Sequence, residues 1–338
     1  MNTRQPLIWG NLVHLSTNLW ADCGLQNFPR AARDRHWQPY LRFDENLWRE
    51  MVCAMTRAGL NMIVIDLGDG VRYQSHPEIA VKKAWSPARL RRELKKLRDA
   101  GLEPIPKLNF STAHDAWLGP YAGIVSSKTY YQVCRDLIAE VTDLFGGPRF
   151  FHLGMDEETA VNQNYSRLLI VRQFDLWWHD LCFLFDQVRR NGVRPWIWSD
   201  YEWYHPEEFY KHMPKDVLQS NWWYYNKLNP QTTLIRCNPQ YDNMTKPMKL
   251  KPVQAYLDLE AHGYDQILTG GNTSACSDNF QATVDFALRH IAPKRLYGFL
   301  MTTWRSTQPK HRKRHFDAID QVSQAMRRYY RSKTDGPI

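Results

Sequence analysis

One pattern recurs along the chain and limits its folds more than any other: an amphipathic segment, then a glycine, then a short apolar run. It occurs at Ala58-Gly59-Leu60, Ala100-Gly101-Leu102, Asn191-Gly192-Val193 and His262-Gly263-Tyr264. A glycine there accepts the left-handed backbone that ends a helix before the chain re-enters a sheet. The apolar runs are Ile8 to Leu15, Met62 to Leu67, Pro104 to Leu108, Phe150 to Gly154, Pro195 to Trp198, Val217 to Trp222, Gln266 to Thr269 and Gly298 to Met301, which makes eight candidate strands. Helical spacing predicts helices near Glu45 to Ala58, Ala88 to Ala100, Lys128 to Leu144, Leu168 to Asn191, Glu207 to His212, Val253 to His262, Ala282 to His290 and Phe316 to Tyr329. Ser86-Pro87 adds an N-cap followed by proline in the first turn. Eight such units without a low-complexity linker predict an α/β chain folded as one (β/α)8 TIM barrel. Residues 1–338 would form a single catalytic domain, with the length beyond about 250 residues spent in loops. The rival is a doubly wound open sheet, and no Gly-x-Gly-x-x-Gly follows the first strand to support it.

With 43% hydrophobic and 23% charged residues, and a mean hydropathy of −0.58, the chain can fill a large core and reads as neither disordered nor membrane-embedded. Its six cysteines show no Cys-x-x-Cys, so no disulfide framework is expected; Cys53, Cys134 and Cys182 read as small buried hydrophobes within helices. The first ten residues carry no apolar run of signal-peptide length, so the expectation is a cytoplasmic protein unless a leader was removed. A net charge of +9 raises the question of a nucleic-acid partner. Much of the excess lies in Lys310, Arg312, Lys313, Arg314, Arg327, Arg328, Arg331 and Lys333. It reads as the solvated face of a basic C-terminal helix at about 313–331, with no nucleic-acid partner expected.

In a parallel barrel the chemistry stands at the C-terminal ends of the strands. Those ends carry Ser16, Asn18 and Trp20; Asp66, Asp69, Arg72 and Tyr73; Asn109 and His114; Asp156, Glu157 and Glu158; Trp198, Asp200 and Glu202; Trp222, Trp223, Tyr224 and Tyr225; Asn272; and Trp304 with Arg305. Indole faces stack on the C–H faces of sugars while carboxylates and amides hold hydroxyls, so one rim rich in both predicts a carbohydrate pocket. The stretch Phe150 to Glu158 is the most informative. Consecutive side chains of a strand point to opposite faces, so Asp156 and Glu157 share a pocket only if the backbone turns, and Gly154 is placed to allow that turn. Two neighbouring carboxylates disfavour joint ionisation, which predicts an acid beside an anionic stabiliser.

His152-Leu153-Gly154-Met155-Asp156-Glu157 resembles the His-x-Gly-x-Asp-Glu signature of glycoside hydrolase family 20, the β-N-acetylhexosaminidases, with Met155 in place of a small residue. Weaker likenesses follow in order: Pro106 to His114, Trp198-Ser199-Asp200, Gln219 to Trp222, and Trp304. The resemblance implies substrate-assisted hydrolysis, an exception to the usual two-carboxylate scheme. Glu157 would be general acid and then base, Asp156 would orient the acetamido group, and Trp198, Trp222 and Trp304 would wall the sugar. Asn109, His114, Asp66, Asp200 and Tyr224 complete the candidate substrate-binding set. The implied partner is a carbohydrate with a terminal N-acetylhexosamine, and no metal or cofactor is implied.

The chain also departs from that family. His14-Leu15-Ser16 stands where a hydroxyl-holding Arg is usual, and Arg305-Ser306 where an acidic residue follows the last Trp. Both changes touch the hydroxyls that separate gluco from galacto sugars, leaving GlcNAc and GalNAc both open. The usual Tyr near strand seven is missing, and Tyr224 or Tyr225 stands ready to replace its hydroxyl. The alternative function is a catalytically silent carbohydrate-binding barrel, which would keep the indoles without needing an acid. Neither a His-Glu-x-x-His metal motif nor a Gly-x-Ser-x-Gly elbow occurs.

Overall fold

The structure, a computed structural model, describes residues 6–23, 34–237, 248–272 and 278–334. Its strands in chain order are β1 (Ile8–His14), β2 (Met62–Asp66), β3 (Glu103–Lys107), β4 (Phe150–His152), β5 (Arg194–Trp198), β6 (Leu218–Ser220), β7 (Ile235–Cys237), β8 (Met248–Leu250), β9 (Gln266–Gly271) and β10 (Leu296–Ser306). The helices are α1 (Glu45–Ala58), α2 (Pro87–Asp99), α3 (Lys128–Leu144), α4 (Asp175–Arg190), α5 (Tyr201–Tyr204), α6 (Pro206–His212), α7 (Gln254–Ala261), α8 (Asn279–His290) and α9 (Arg312–Thr334). Eight parallel strands close in the order β1-β2-β3-β4-β5-β6-β9-β10, with β10 returning to β1. This is the expected (β/α)8 barrel.

Period-two alternation divides the core. Ile8, Leu12, Met62, Val64, Ile105, Phe150, Trp196, Leu218, Ile267 and Leu300 fill the barrel, while Trp9, Val13, Ile63, Ile65, Phe151 and Ile197 pack outward under the helices. One layer is polar. His14 is in register with Asp66, Asp66 with Lys107, and Lys107 with His152, so four inward residues of β1 to β4 form a girdle below the rim. Helix starts follow local chemistry. Asp44, Ser86 and Ser127 accept the amides of Leu47, Arg89 and Tyr130 at 2.7, 3.2 and 3.1 Å. At the end of α4, Gly192 takes φ 74°, and the Val193 amide bonds back to the Val188 carbonyl.

Three expectations are corrected and one element is added. The helix expected from Leu168 begins at Asp175, because the segment before it is gripped by the loop after β4 and leaves Leu168 and Leu169 exposed. The last strand runs to Ser306, paired with both β1 and β9. The long link from β6 to β9 contains an antiparallel hairpin, β7 with β8. Cys134 is buried, but Cys53 is exposed and Cys182 half-buried, because their positions on α1 and α4 fall off the core stripe. The side chain of Cys237, and all of Cys276, lie outside the described residues. No helix among the described residues is long and apolar enough to cross a membrane. The basic helix α9 runs from Arg312, and Arg312 pairs at the surface with Glu50 at 2.8 Å.

Candidate active site

The site begins with the backbone after β4. Gly154, Met155 and Glu157 all have positive φ, at 71°, 71° and 56°, so the chain turns sharply twice within four residues. Asn109, at the end of β3, holds this turn. Its Oδ1 accepts the amides of Met155 (3.0 Å) and Ser111 (3.1 Å), and its Nδ2 donates to Asp156 Oδ1 at 2.7 Å. Ser111 Oγ donates to the Asp156 carbonyl at 2.5 Å.

That turn sends three consecutive carboxylates three ways. Asp156 is buried, with Oδ2 3.3 Å from His114 Nε2. Glu157 keeps 35% of its side chain exposed, yet its Oε2 is also 3.3 Å from the same Nε2. Glu158 turns away into a clamp, with Arg172 Nη2 at 2.5 Å and the amides of Thr112 and Arg172 at 3.2 and 3.0 Å. From β5, Asp200 Oδ2 accepts the Glu157 amide at 2.9 Å, so it braces this loop and makes no side-chain cap on α5.

Charges follow from this geometry. Burial alone would lower the His114 pKa, but the charge and hydrogen bond of Asp156, joined by those of Glu157, outweigh it and raise it to about 10. Burial works to raise Asp156, yet protonated His114, the Lys107 ammonium and the Asn109 amide hold it well below the usual carboxylate range. Asp200 is pushed well above that range by burial and by the Asp156 charge. The cluster therefore holds a permanent anion and a carboxyl that keeps its proton, with Asp200 as the latter. His152 stays neutral because burial and Lys107 disfavour its charge, and its Nδ1 accepts the Gly154 amide at 3.1 Å.

A pH dependence follows. His114 is raised from an ordinary value near 6.5, so its stabilising contribution is complete below that value and is lost as pH rises through about 10. The melting temperature of the wild type should fall from pH 7 to pH 10, and His114→Gln should flatten that slope. Parallel profiles for the two proteins would remove His114 from the account.

Around the acids the aromatic side chains form a wall. Trp304 lies 5.9 Å from Trp198, 5.6 Å from His14 and 6.4 Å from Trp20, between ring centroids, and Trp20 lies 6.2 Å from His114. Trp222 stacks on Tyr224 at 5.2 Å, and Trp304 Nε1 donates to Tyr224 Oη at 2.9 Å. Tyr225 is 55% exposed, so Tyr224 is the hydroxyl turned toward the wall. The structure thus brings together Asn109, His114, Asp156, Glu157, Trp198, Asp200, Trp222, Tyr224 and Trp304. Asp66 differs. It is fully buried in the polar girdle, with Lys107 Nζ at 2.5 Å and His14 Nδ1 at 3.5 Å, and it reaches Asp156 only through the Lys107 charge.

Sequence reasoning named His14 only as a departure from the family pattern, gave Lys107 no role in the site, and passed over Arg172. Inward alternation on β1 and β3 was available as a signal for the first two; nothing local marked Arg172. Its guanidinium is fully buried between Glu158 and Asp180 at 2.5 and 3.1 Å and donates to the Phe110 carbonyl at 2.8 Å. Arg172→Met would leave two buried carboxylates without a cation, and urea unfolding should show a loss of about 3–5 kcal/mol. A loss no larger than the roughly 1 kcal/mol of a surface pair would mean the loop is held by other contacts.

His114, Asp156 and Glu157 also place one ligand atom each within 4.8 Å of one another, the one such group among the described residues. They suit either a shared proton or a divalent cation.

The closed (β/α)8 barrel is a fold that the chain shares with solved family 20 β-N-acetylhexosaminidases. No family model matches the sequence, and no curated protein does. Solved structures do match. The family 20 β-N-acetylhexosaminidase of Streptomyces coelicolor A3(2) is 12% identical, with a TM-score of 0.60 over 94% of this chain and 64% of its own. The exo-β-N-acetylglucosaminidase of Vibrio harveyi, solved with N-acetylglucosamine, is 13% identical at 0.60, over 98% and 58%. The β-N-acetylhexosaminidase of Bacteroides fragilis NCTC 9343 is 13% identical at 0.59, over 97% and 69%. The chain thus spans under two thirds of the length of the first two.

Proposed function

We propose that the chain is a glycoside hydrolase that removes terminal β-linked N-acetylhexosamine, GlcNAc or GalNAc, by substrate-assisted retaining catalysis. The observation that carries this reading is the division within two consecutive residues. Asp156 is sealed and anionic between His114 and Asn109, while Glu157 faces the same imidazole and stays partly open. Glu157 takes up a proton as substrate binds and gives it to the glycosidic oxygen as the C1–O bond breaks. The acetamido carbonyl oxygen of the substrate bonds to C1 in the same step, and Asp156 accepts the acetamido N–H and balances the positive charge. Water then attacks C1, its proton passes to the Glu157 carboxylate, and the acetamido oxygen is released. Trp198, Trp222 and Trp304 wall the ring, and Tyr224 Oη offers a hydrogen bond to the acetamido oxygen.

The test is hydrolysis of aryl β-GlcNAc and β-GalNAc glycosides. Wild type should cleave at least one and bind a thiazoline analogue of the intermediate. Asp156→Asn should lose about 10²–10³ in kcat. A chelator should change nothing, because protonated His114 occupies the space between the two carboxylates. A wild type that cleaves neither glycoside and binds no thiazoline sinks the enzyme reading and leaves the silent sugar-binding barrel. Loss on chelation, restored by a divalent cation, would replace the proton with a metal.

A further inference from the structure

The hydrolase reading leaves the chain's positive charge without a task, and part of that charge collects at the rim where β1 meets β10. His14 is in register with Ser306, and Arg305 stands immediately before Ser306. Trp304 sits at φ 49°, a left-handed backbone costly for any residue with a Cβ. Past this kink Trp304 and Arg305 both stay partly open to solvent, after a buried run from Gly298 to Thr303. Two more arginines join them. Arg35 lies over the Trp20 ring, 5.5 Å from its centroid, and Trp20 is 6.4 Å from Trp304. Arg314, in the first turn of α9, donates to the Asn272 carbonyl, and the next residue ties it to β10, since His315 Nε2 donates to the Ser306 carbonyl at 3.0 Å.

We propose that Arg35, Arg305 and Arg314 form an anion site at the edge of the sugar pocket, and that the terminal N-acetylhexosamine of the substrate carries a sulfate or phosphate ester. The inference rests on the hydrolase reading and narrows its substrate class.

Three features support it. Among the described residues, no ion pair holds any of the three guanidinium groups. The acid nearby, Asp34, is already engaged by Lys310 and by His311 at 3.1 Å. Arg305 is partly desolvated and feels the like charges of Arg35 and Arg314, and all three effects lower its pKa. Cations gathered without a counterion repel one another, and an oxyanion among them removes the conflict. Second, a guanidinium fork matches two oxygens of a sulfate or phosphate at once, a stronger contact than a neutral hydroxyl makes. Third, the cations flank Trp20 and Trp304 in the wall around the sugar, which places the charge on the terminal ring itself. His14 lies 5.6 Å from both indoles, and its buried Nε2 has no partner among the described residues, so a polar substituent arriving there has a hydrogen bond waiting.

The test compares aryl β-N-acetylhexosaminides that are neutral, 4-sulfated, 6-sulfated or 6-phosphorylated. Wild type should favour at least one ester over the neutral sugar by about tenfold or more in kcat/KM, the scale of a charged hydrogen bond. The preference should weaken with added salt, and the ester preferred identifies the anion and the carbon that bears it. Arg305→Gln and Arg35→Gln should each cut the ester-to-neutral ratio about tenfold. Arg327→Gln, roughly 20 Å beyond Arg314 along α9, should leave that ratio intact. An unchanged ratio in Arg305→Gln and Arg35→Gln, or an equal loss in Arg327→Gln, overturns the site. A wild type that cleaves the neutral glycoside as fast as every ester also overturns it and leaves the hydrolase reading standing. A wild type that cleaves none of the four overturns both.

Discussion

Glu157→Gln is expected to lower kcat/KM on a β-N-acetylhexosaminide with a poor leaving group by about 10²–10⁴, the usual worth of a general acid. The substitution is nearly isosteric, so the contact toward His114 at 3.3 Å and the Asp200 bond to the backbone amide at 2.9 Å both survive. The transferable proton is lost, together with the carboxylate charge that Glu157 sets beside His114. The deficit should therefore shrink on an activated aryl glycoside, whose leaving oxygen needs no protonation, while the second step still lacks its base. A variant with full rate on an alkyl glycoside would end the assignment of Glu157, whatever the fate of Asp156.

Gly154→Ala should damage both stability and chemistry. A Cβ at Gly154 would fall 2.0 Å from Asn109 Oδ1 and 2.8 Å from its Cα, and φ is 71°. Left-handed strain and overpacking together should cost roughly 3 kcal/mol. The larger effect is on chemistry, because Asn109 is the hub that sets the Met155 amide and the Asp156 carboxylate. Moving it should lower kcat by about 10² or more, a scale reached by misplacements of an ångström. Gly192→Ala is the control. Its φ is 74° but nothing lies within 4 Å, so it should lose about 1 kcal/mol with kcat intact. Equal kcat in the two variants would mean the Asn109 contact does not position the acids.

The barrel was legible because its signals are local. Ser86 caps α2, Gly192 closes α4, and β1 to β5 start within a residue or so of the apolar runs. Period-two and period-3.6 patterns survive any arrangement of the elements. The start of α4 was not legible, since the apolar spacing from Leu168 onward suits a helix in isolation. Contacts made only by the tertiary fold, Glu158 with Arg172 and Thr112 Oγ1 with the Ile170 carbonyl at 2.5 Å, make that segment a loop. Trp177 and Trp178 are buried in the core, yet they also line a cleft of about 460 Å³ that Glu157 borders, a double placement no periodicity can express.

The sequence by itself determined the eight strand–helix units, the rim where polar groups collect, and the turn at Gly154 that frees two adjacent carboxylates from opposite faces. Each is a property of backbone preference or side-chain alternation within a few residues. Tertiary structure alone decided which carboxyl keeps a proton and which does not. Asp156 is anionic because His114 and Asn109 reach it from the segment after β3 and Lys107 acts from the end of that neighbouring strand, and Asp200 is pushed up because it meets Asp156 from the end of β5. It also spent Asp66 on Lys107 and turned Glu158 to Arg172. Those outcomes depend on desolvation and on charges a few ångströms apart, and such distances exist only once the barrel has closed.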